Sequence, residues 1–224
     1  MYSHVAQQLE EVRRTIPEGV ALVAVSKFHP VEALRIAYES GQRRFGESRV
    51  QELLAKIPQM PDDVEWHFIG HLQSNKVRSL IGKVSLIESV DTERLLELID
   101  KESARAGVVS RVLLQLHVAQ EETKFGFSVQ EVIDYFANRR YETLQATHIC
   151  GLMGMATNTD DEARITADFA AIKHCYDAIR NEAGAGLRGF DILSMGMSDD
   201  RDIAIAQGSN MVRVGTAIFG AREY

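Results

Sequence analysis

Cysteine is scarce. Only Cys150 and Cys175 occur in 224 residues, far apart and in no C-x-x-C pattern. That spacing argues against a disulfide framework and against a zinc site, and leaves two buried free thiols as the expectation. Basic clusters are missing too. No stretch gathers five or more lysines and arginines, and the net charge is −7, so nucleic acid and anionic membrane are poor partners. The N-terminus, from Met1 to Glu10, has neither a basic start nor an apolar h-region, and no window is apolar over the length of a membrane span. A cytoplasmic protein is expected. Linkers, low-complexity tracts and shifts of composition are lacking as well, so residues 1–224 read as a single domain. Hydrophobic residues, 45% of the chain, suffice for a full core.

What the chain does have is alternation. Val5, Leu9, Val12 and Ile16 recur at helical spacing and form a leading amphipathic helix that stops near Pro17-Glu18-Gly19. Val20 to Val25 is an unbroken valine-rich run, the mark of a strand buried on both faces, and it ends in Ser26-Lys27. Further strands are expected at Arg44–Glu47, Glu65–Gly70, Val84–Val90, Arg111–Val118, Leu144–Cys150, Phe190–Leu193 and Met211–Val214. Helices separate them. One is opened by His29-Pro30 and ended by Gly41; others cover Arg49–Ile57, Asn75–Ile81, a stretch capped by Asp91-Thr92, and one opened by the capping box Ser128–Glu131. The longest, Ala163–Asn181, follows a second capping box, Thr159–Glu162, and ends at Gly184 and Gly186; Ser198–Ala206 and Thr216–Phe219 complete the set. Eight strands alternating with helices imply parallel strands with helical crossovers, and the fold class is α/β: a (β/α)8 TIM barrel with an extra N-terminal helix. A doubly wound sheet would favour a glycine-rich turn after strand one, where this chain has Ser26-Lys27-Phe28-His29-Pro30.

Such barrels place their sites at the C-terminal ends of the strands. Those ends carry Lys27, Gly46-Glu47-Ser48, Gly70 to Lys76, Glu88 to Asp91, His117, Gly151 to Met155, Ser194 to Ser198, and Arg213 to Thr216. Lys27 either caps its strand or, against a desolvating wall that lowers its pKa, offers an amine able to form a Schiff base. Ser194-Met195-Gly196-Met197-Ser198 and Gly215-Thr216 are adjacent strand-to-helix turns. They read as ordinary turns or as an oxyanion cradle at the usual phosphate position of the fold. Arg213 shares a strand face with Gly215. It requires an anion such as Glu47 or Asp191, or else a ring nitrogen kept unprotonated. An amine, a cradle and an arginine together suit pyridoxal 5′-phosphate, whose aldehyde, phosphate and pyridine nitrogen they match. Arginine in place of a carboxylate at that nitrogen weakens the ring as an electron sink and implies mild chemistry or none.

With these motifs in view, the chain resembles the pyridoxal phosphate homeostasis protein family, single-domain relatives of the alanine racemase N-terminal barrel. The matching segments are Ala24–Lys27, Phe45–Glu47, Val50–Glu52, Trp66–Lys76, Lys124–Gly126, Gly151–Met155, Leu193–Asp200 and Arg213–Gly220. The resemblance implies a Schiff base on Lys27, phosphate contacts from Ser194, Gly215 and Thr216, and Arg213 on the pyridine nitrogen. Gly196, Met153, His67 and Ser48 complete the expected cofactor site. Ser48 departs from the asparagine usual in the family, so a contact there is lost, lengthened or bridged by water. The family is thought to buffer the cofactor and to affect amino- and keto-acid balance without established turnover. The expected partners are therefore the cofactor and the apoenzymes that receive it, with the chain acting as a monomer.

The remaining candidates have plainer readings. His67, mid-strand, is a satisfied core histidine or a ring-stacking partner. His71 and His117 lack ligand spacing, and no metal is expected. Gln73-Ser74-Asn75-Lys76 is a helix cap or a site rim; Lys124 belongs to a solvated loop or is a second amine. Met153, Met155, Met195 and Met197 are expected to pack the barrel mouth. The rival function is a racemase. A two-base racemase needs a second proton donor, and Tyr38, Tyr135, Tyr141 and Tyr176 lie in helices or their flanks, while Tyr224 ends the chain. A lysine aldolase without cofactor is the third reading, separable by colour.

Overall fold

The computed structural model describes residues 2–119, 125–183, 187 and 189–221. Lys124, Gly184, Gly186 and Tyr224 lie outside the described residues. Within them, parallel strands pair in sequence order and close into a barrel: β1 (Ala21–Val25), β2 (Arg44–Glu47), β3 (Glu65–Phe68), β4 (Leu86–Val90), β5 (Ser110–Leu116), β6 (Thr147–Gly154), β7 (Ile192–Ser194) and β8 (Met211–Val214). Closure runs from Ala21 opposite Met211 to Ala24 opposite Val214. The helices are α1 (His4–Thr15), α2 (Val31–Glu39), α3 (Val50–Lys56), α4 (Val77–Leu80), α5 (Glu93–Ala106), α6 (Val129–Ala137), α7 (Glu162–Ala183), α8 (Arg201–Ala206) and α9 (Thr216–Phe219). This is the expected (β/α)8 barrel with a leading helix.

Local chemistry explains most boundaries. In α1, Val5, Leu9 and Val12 form one buried stripe, which packs against α2 and α9. Thr92 caps α5 by accepting from the Leu95 amide at 3.3 Å, and Gly107 ends it in the left-handed region at φ 69°. Ser128 and Glu131 form both halves of the capping box on α6; such a cap stabilises by about 1 kcal/mol. The second expected capping box is not formed. Asp161, not Thr159, caps α7, its Oδ1 accepting from the Ala163 and Arg164 amides at 3.0 and 3.3 Å. Thr159 instead orients Asp161 by accepting from its amide at 3.2 Å.

Apolar side chains separate into two layers. One layer fills the space between the barrel and the helices, with Phe45, Phe68, Ile99, Phe169 and Ile172 at its centre. The other lies inside the barrel and comprises Val23, Leu86, Leu113, Cys150, Met153 and Met211. Both faces of each strand are thereby buried, as all-parallel sheets require. β6 lies further along the chain than the sequence suggests, starting at Thr147 rather than Leu144. It runs on through Gly154 because the register against β5 slips beyond Ile149: Val112 lies opposite Ile149, but Leu113 lies opposite Gly151. The extra residue, Cys150, makes a bulge. Gly151 and Gly154, expected just beyond the strand, are thus strand residues, and the slip turns Met153 into the barrel. Met195 is a correction in the other direction: it faces the outer layer, since alternation along β7 puts Ser194 inside and its neighbour outside. Cys150 and Cys175 are both buried free thiols.

Candidate functional site

β1 stops at Val25, and the next five residues form the turn that leads to α2. Ser26 is fully buried. Its amide donates to the Gly46 carbonyl at 3.0 Å and its hydroxyl to Glu47 Oε1 at 2.6 Å. Lys27 follows, half-buried. Phe28 then adopts φ 68°, a left-handed conformation that bulky residues avoid unless their surroundings enforce it. Here the Phe28 amide donates to Glu52 Oε1 at 2.6 Å, and the Arg49 guanidinium lies 4.6 Å from the ring centre. Lys56 joins these parts from α3. Its ammonium donates to the Ser26 carbonyl at 2.9 Å, to Glu47 Oε1 at 2.7 Å and to Glu52 Oε1 at 2.6 Å, so all three of its donors are used. Burial raises the Glu47 pKa against the pull of the Lys56 charge and the hydrogen bonds from Lys56 and Ser26. The segment carrying Lys27 is therefore tied to a buried ionic cluster.

Lys27 lines a cavity of about 210 Å³ at the C-terminal ends of the strands. Val25, Ile69, Met153 and Met155 supply apolar wall; Arg213, Gly215, Thr216 and Ser198 supply cationic, backbone and hydroxyl groups. Asp199 is on the lining but exposed, where water screens its charge. Among the described residues no tyrosine lines the cavity. Tyr38 donates to Asp63 at 2.5 Å on the outer surface, and Tyr135 and Tyr176 belong to a buried aromatic cluster with Phe136 and Phe190.

Arg213 is 4% exposed. It pairs neither with Glu47 nor with Asp191. Glu47 faces α3 through Lys56, on the outside of the barrel, and Asp191 precedes β7 at its lower end, beside a second cavity. The anion near Arg213 is Glu88 of β4, 3.7 Å from Nη1. Nη1 donates to the Ser194 carbonyl at 2.9 Å and to its hydroxyl at 2.6 Å, and Nη2 donates to the Gly154 carbonyl at 2.9 Å. Burial pushes the guanidinium pKa down, and the Glu88 and Asp200 charges oppose that shift. Glu88 itself is fully buried, which acts to raise its pKa, but the hydrogen bond and charge of His67, the charge of Arg213 and the Ser194 hydroxyl outweigh burial and hold it below the usual carboxylate value.

Of the residues singled out in the sequence, Lys27, Arg213, Gly215, Thr216 and Met153 meet around one cavity. Ser194 lies behind its wall, fully buried, donating to Glu88 Oε2 at 2.6 Å. Gly196 sits in the same turn, its carbonyl accepting from the Arg213 amide at 3.0 Å. Ser48 is half-buried and apart from the lining; its backbone packs on Gly70, where an added Cβ would lie 2.2 Å from the Ser48 carbonyl. His67 is the satisfied core histidine, its Nδ1 2.6 Å from Glu88 Oε1. His71 pairs with Asp91 at 2.7 Å and stacks on Phe125, and His117 Nε2 lies 2.8 Å from the Ala119 carbonyl. Among the described residues no three His, Cys, Asp or Glu side chains gather as a metal site, and no helix is long and apolar enough to cross a membrane. Glu88, Glu52 and Lys56 carry roles that sequence reasoning did not assign. A signal existed for Glu88: a carboxylate inside the apolar run Leu86–Val90, on the same strand face as Leu86.

The family described as alanine racemase, N-terminal domain, matches residues 2–223. The pyridoxal phosphate homeostasis protein of Schizosaccharomyces pombe is 39% identical over 207 residues, covering 91% of this chain and 85% of that protein. PipY of Synechococcus elongatus PCC7942 has been solved without and with pyridoxal phosphate bound. The two structures superpose with TM-scores of 0.90 and 0.86 at 36% and 35% identity, each covering 96% of this chain and 100% of that one. A barrel whose strand-end lysine and buried arginine line one cavity, with these relatives along almost its whole length, belongs to the alanine racemase N-terminal domain family and, within it, to the pyridoxal phosphate homeostasis proteins.

Proposed function

We propose that this chain binds pyridoxal 5′-phosphate in the upper cavity, covalently through Lys27, and holds it for intracellular homeostasis and for transfer to dependent apoenzymes. One observation carries the reading: Lys27 and Arg213, from β-strand ends on adjacent sides of the barrel closure, line the same cavity beside Gly215 and Thr216. The donor set suits the group. The Lys27 nitrogen bonds to the aldehyde carbon as one water leaves, which gives a Schiff base. Gly215 and Thr216 lie where this fold receives phosphate, Met153 and Ile69 cover apolar ring surface, and Arg213 faces the pyridine nitrogen. The bound group would supply an electron sink for amino-acid chemistry. Arg213 is a donor with no acceptor site and holds that nitrogen unprotonated, so the sink is weak. That choice favours holding over turnover, and the relative PipY, solved with pyridoxal phosphate bound, supports the cofactor assignment.

The test is borohydride reduction of the purified protein followed by peptide mapping. The pyridoxyl mass is expected on Lys27, and Lys27→Ala is expected to lose both the adduct and the visible absorption band. A tag found consistently on another residue, or a variant still yellow after dialysis, overturns the assignment. Binding without turnover has its own measurement. One alanine enantiomer incubated with the protein in deuterated water should exchange its α-proton little beyond the protein-free rate, whereas rapid exchange would establish a racemase-like enzyme.

A further inference from the structure

We propose that His67 and Glu88 are positioning residues for the cofactor: through Ser194 they fix the direction in which Arg213 meets the upper cavity. This deepens the function proposed above and rests on it. The observation is a continuous line of side chains across the barrel. His67 Nδ1 lies 2.6 Å from Glu88 Oε1, the Ser194 hydroxyl donates to Glu88 Oε2 at 2.6 Å, and Arg213 Nη1 donates to the Ser194 hydroxyl at 2.6 Å. All four residues are 4% exposed or less. Their strands are β3, β4, β7 and β8, in a closed ring of eight. β4 stands opposite β8, and β3 opposite β7. The contact between Glu88 and the Ser194–Arg213 pair therefore spans the lumen and is not packing between neighbouring strands.

The two ends of the line face different spaces. Arg213 lines the upper cavity. His67 lines a second cavity of about 410 Å³ at the lower mouth, among Arg44, Glu65, Arg111 and Asp191. Hydrogen-bond polarity runs one way along the line. Arg213 donates to Ser194 and Ser194 donates to Glu88, which must therefore accept. An ionised Glu88 accepts from His67 as well, which places a proton on Nδ1 of that ring. Glu88 is thus the common acceptor, and it is the only carboxylate among the described residues placed within 4 Å of the buried guanidinium. Three of the five guanidinium N–H donors are committed to Ser194 and Gly154, which sets the plane of the group. What it presents upward is decided from below.

A merely structural network would make the same contacts, so the test needs a readout that stability alone does not move. Full-length apoprotein is titrated with pyridoxal 5′-phosphate while visible absorbance is followed, and melting is measured in parallel. Glu88→Gln preserves shape but replaces one acceptor with a donor. It should weaken cofactor affinity at least tenfold and shift the visible band, with the borohydride adduct still on Lys27. Its effect should vanish in an Arg213→Met background, because Glu88 acts through Arg213. Ser103→Ala serves as the control. It breaks a buried hydroxyl pair with Ser110, 2.7 Å apart and remote from the cavity, and should lower the melting temperature while leaving affinity and band unchanged. If Glu88→Gln does not fold, Ser194→Ala removes one hydroxyl and no charge, and carries the same expectation. Wild-type affinity and band in these variants, or a Glu88→Gln effect that persists without Arg213, overturns the positioning role. A wild-type protein with no adduct on Lys27 would instead overturn the functional reading itself.

Discussion

Replacing Lys56 by methionine should be among the most damaging single changes outside the cavity. Methionine keeps the length and apolar stem of lysine but removes the ammonium that serves Ser26, Glu47 and Glu52. Glu47 has no exposed surface and its Oε2 already lacks a partner among the described residues. The variant would thus leave a buried carboxylate without its counter-charge. Breaking one side of a buried ion pair costs about 3–5 kcal/mol. For a chain of this size that corresponds to a fall in melting temperature of roughly 6–20 °C. The sole tryptophan, Trp66, is buried on β3, so its fluorescence reports urea unfolding, and circular dichroism should give a coincident transition.

The pH dependence of that loss has a definite sign. Glu47 in the folded protein has a pKa above its ordinary value, so its contribution to folding is fully present below the unfolded carboxylate pKa and is lost as pH rises through the folded one. Removing Lys56 raises the folded value further. The deficit of the variant should then be largest near neutrality and shrink as pH falls toward about 4.3, the unfolded glutamate value. Adding Glu47→Gln should recover part of it, because the charge left stranded is gone. A deficit below about 1 kcal/mol, the scale of an exposed ion pair, or one that does not change with pH, would refute the claim that Lys56 is the buried counter-ion of the Lys27 turn.

Two further predictions rest on packing and burial. At Gly151, φ is 151° and an added Cβ would lie 1.8 Å from the Ile192 carbonyl, a backbone atom that cannot swing away; Gly151→Ala should destabilise by more than about 2 kcal/mol in denaturant melts, and a near-neutral result would show that β6 and β7 separate easily. Burial raises the Cys175 thiol pKa to about 12, so a thiol reagent at neutral pH should leave it unmodified until the chain unfolds, whereas rapid labelling of the native protein would mean that α7 opens locally.

The sequence by itself determined the fold and put Lys27 just beyond the end of β1. Unbroken apolar runs such as Val20–Val25 admit only strands covered on both faces, and their regular alternation with amphipathic stretches admits few topologies. Caps at Thr92 and Ser128 are local chemistry and were legible as such. The Thr159 cap was not, because two acidic residues competed for the same helix start and backbone geometry chose Asp161. The end of β6 was hidden by the bulge at Cys150, which breaks the alternation of faces along the strand.

Tertiary structure alone decided which charges meet. Arg213 could be placed on an inward face from its strand, but its partner is 125 residues earlier in the chain, at Glu88, and only closure of β8 onto β1 brings β4 across from it. Lys56 is a surface residue by composition, yet α3 lays it under the Lys27 turn, where three acceptors converge. Periodicity fixes which side of an element a residue occupies. The distance between two side chains on opposite walls of a barrel depends on strand number, register and closure, which are properties of the whole sheet and of no single stretch.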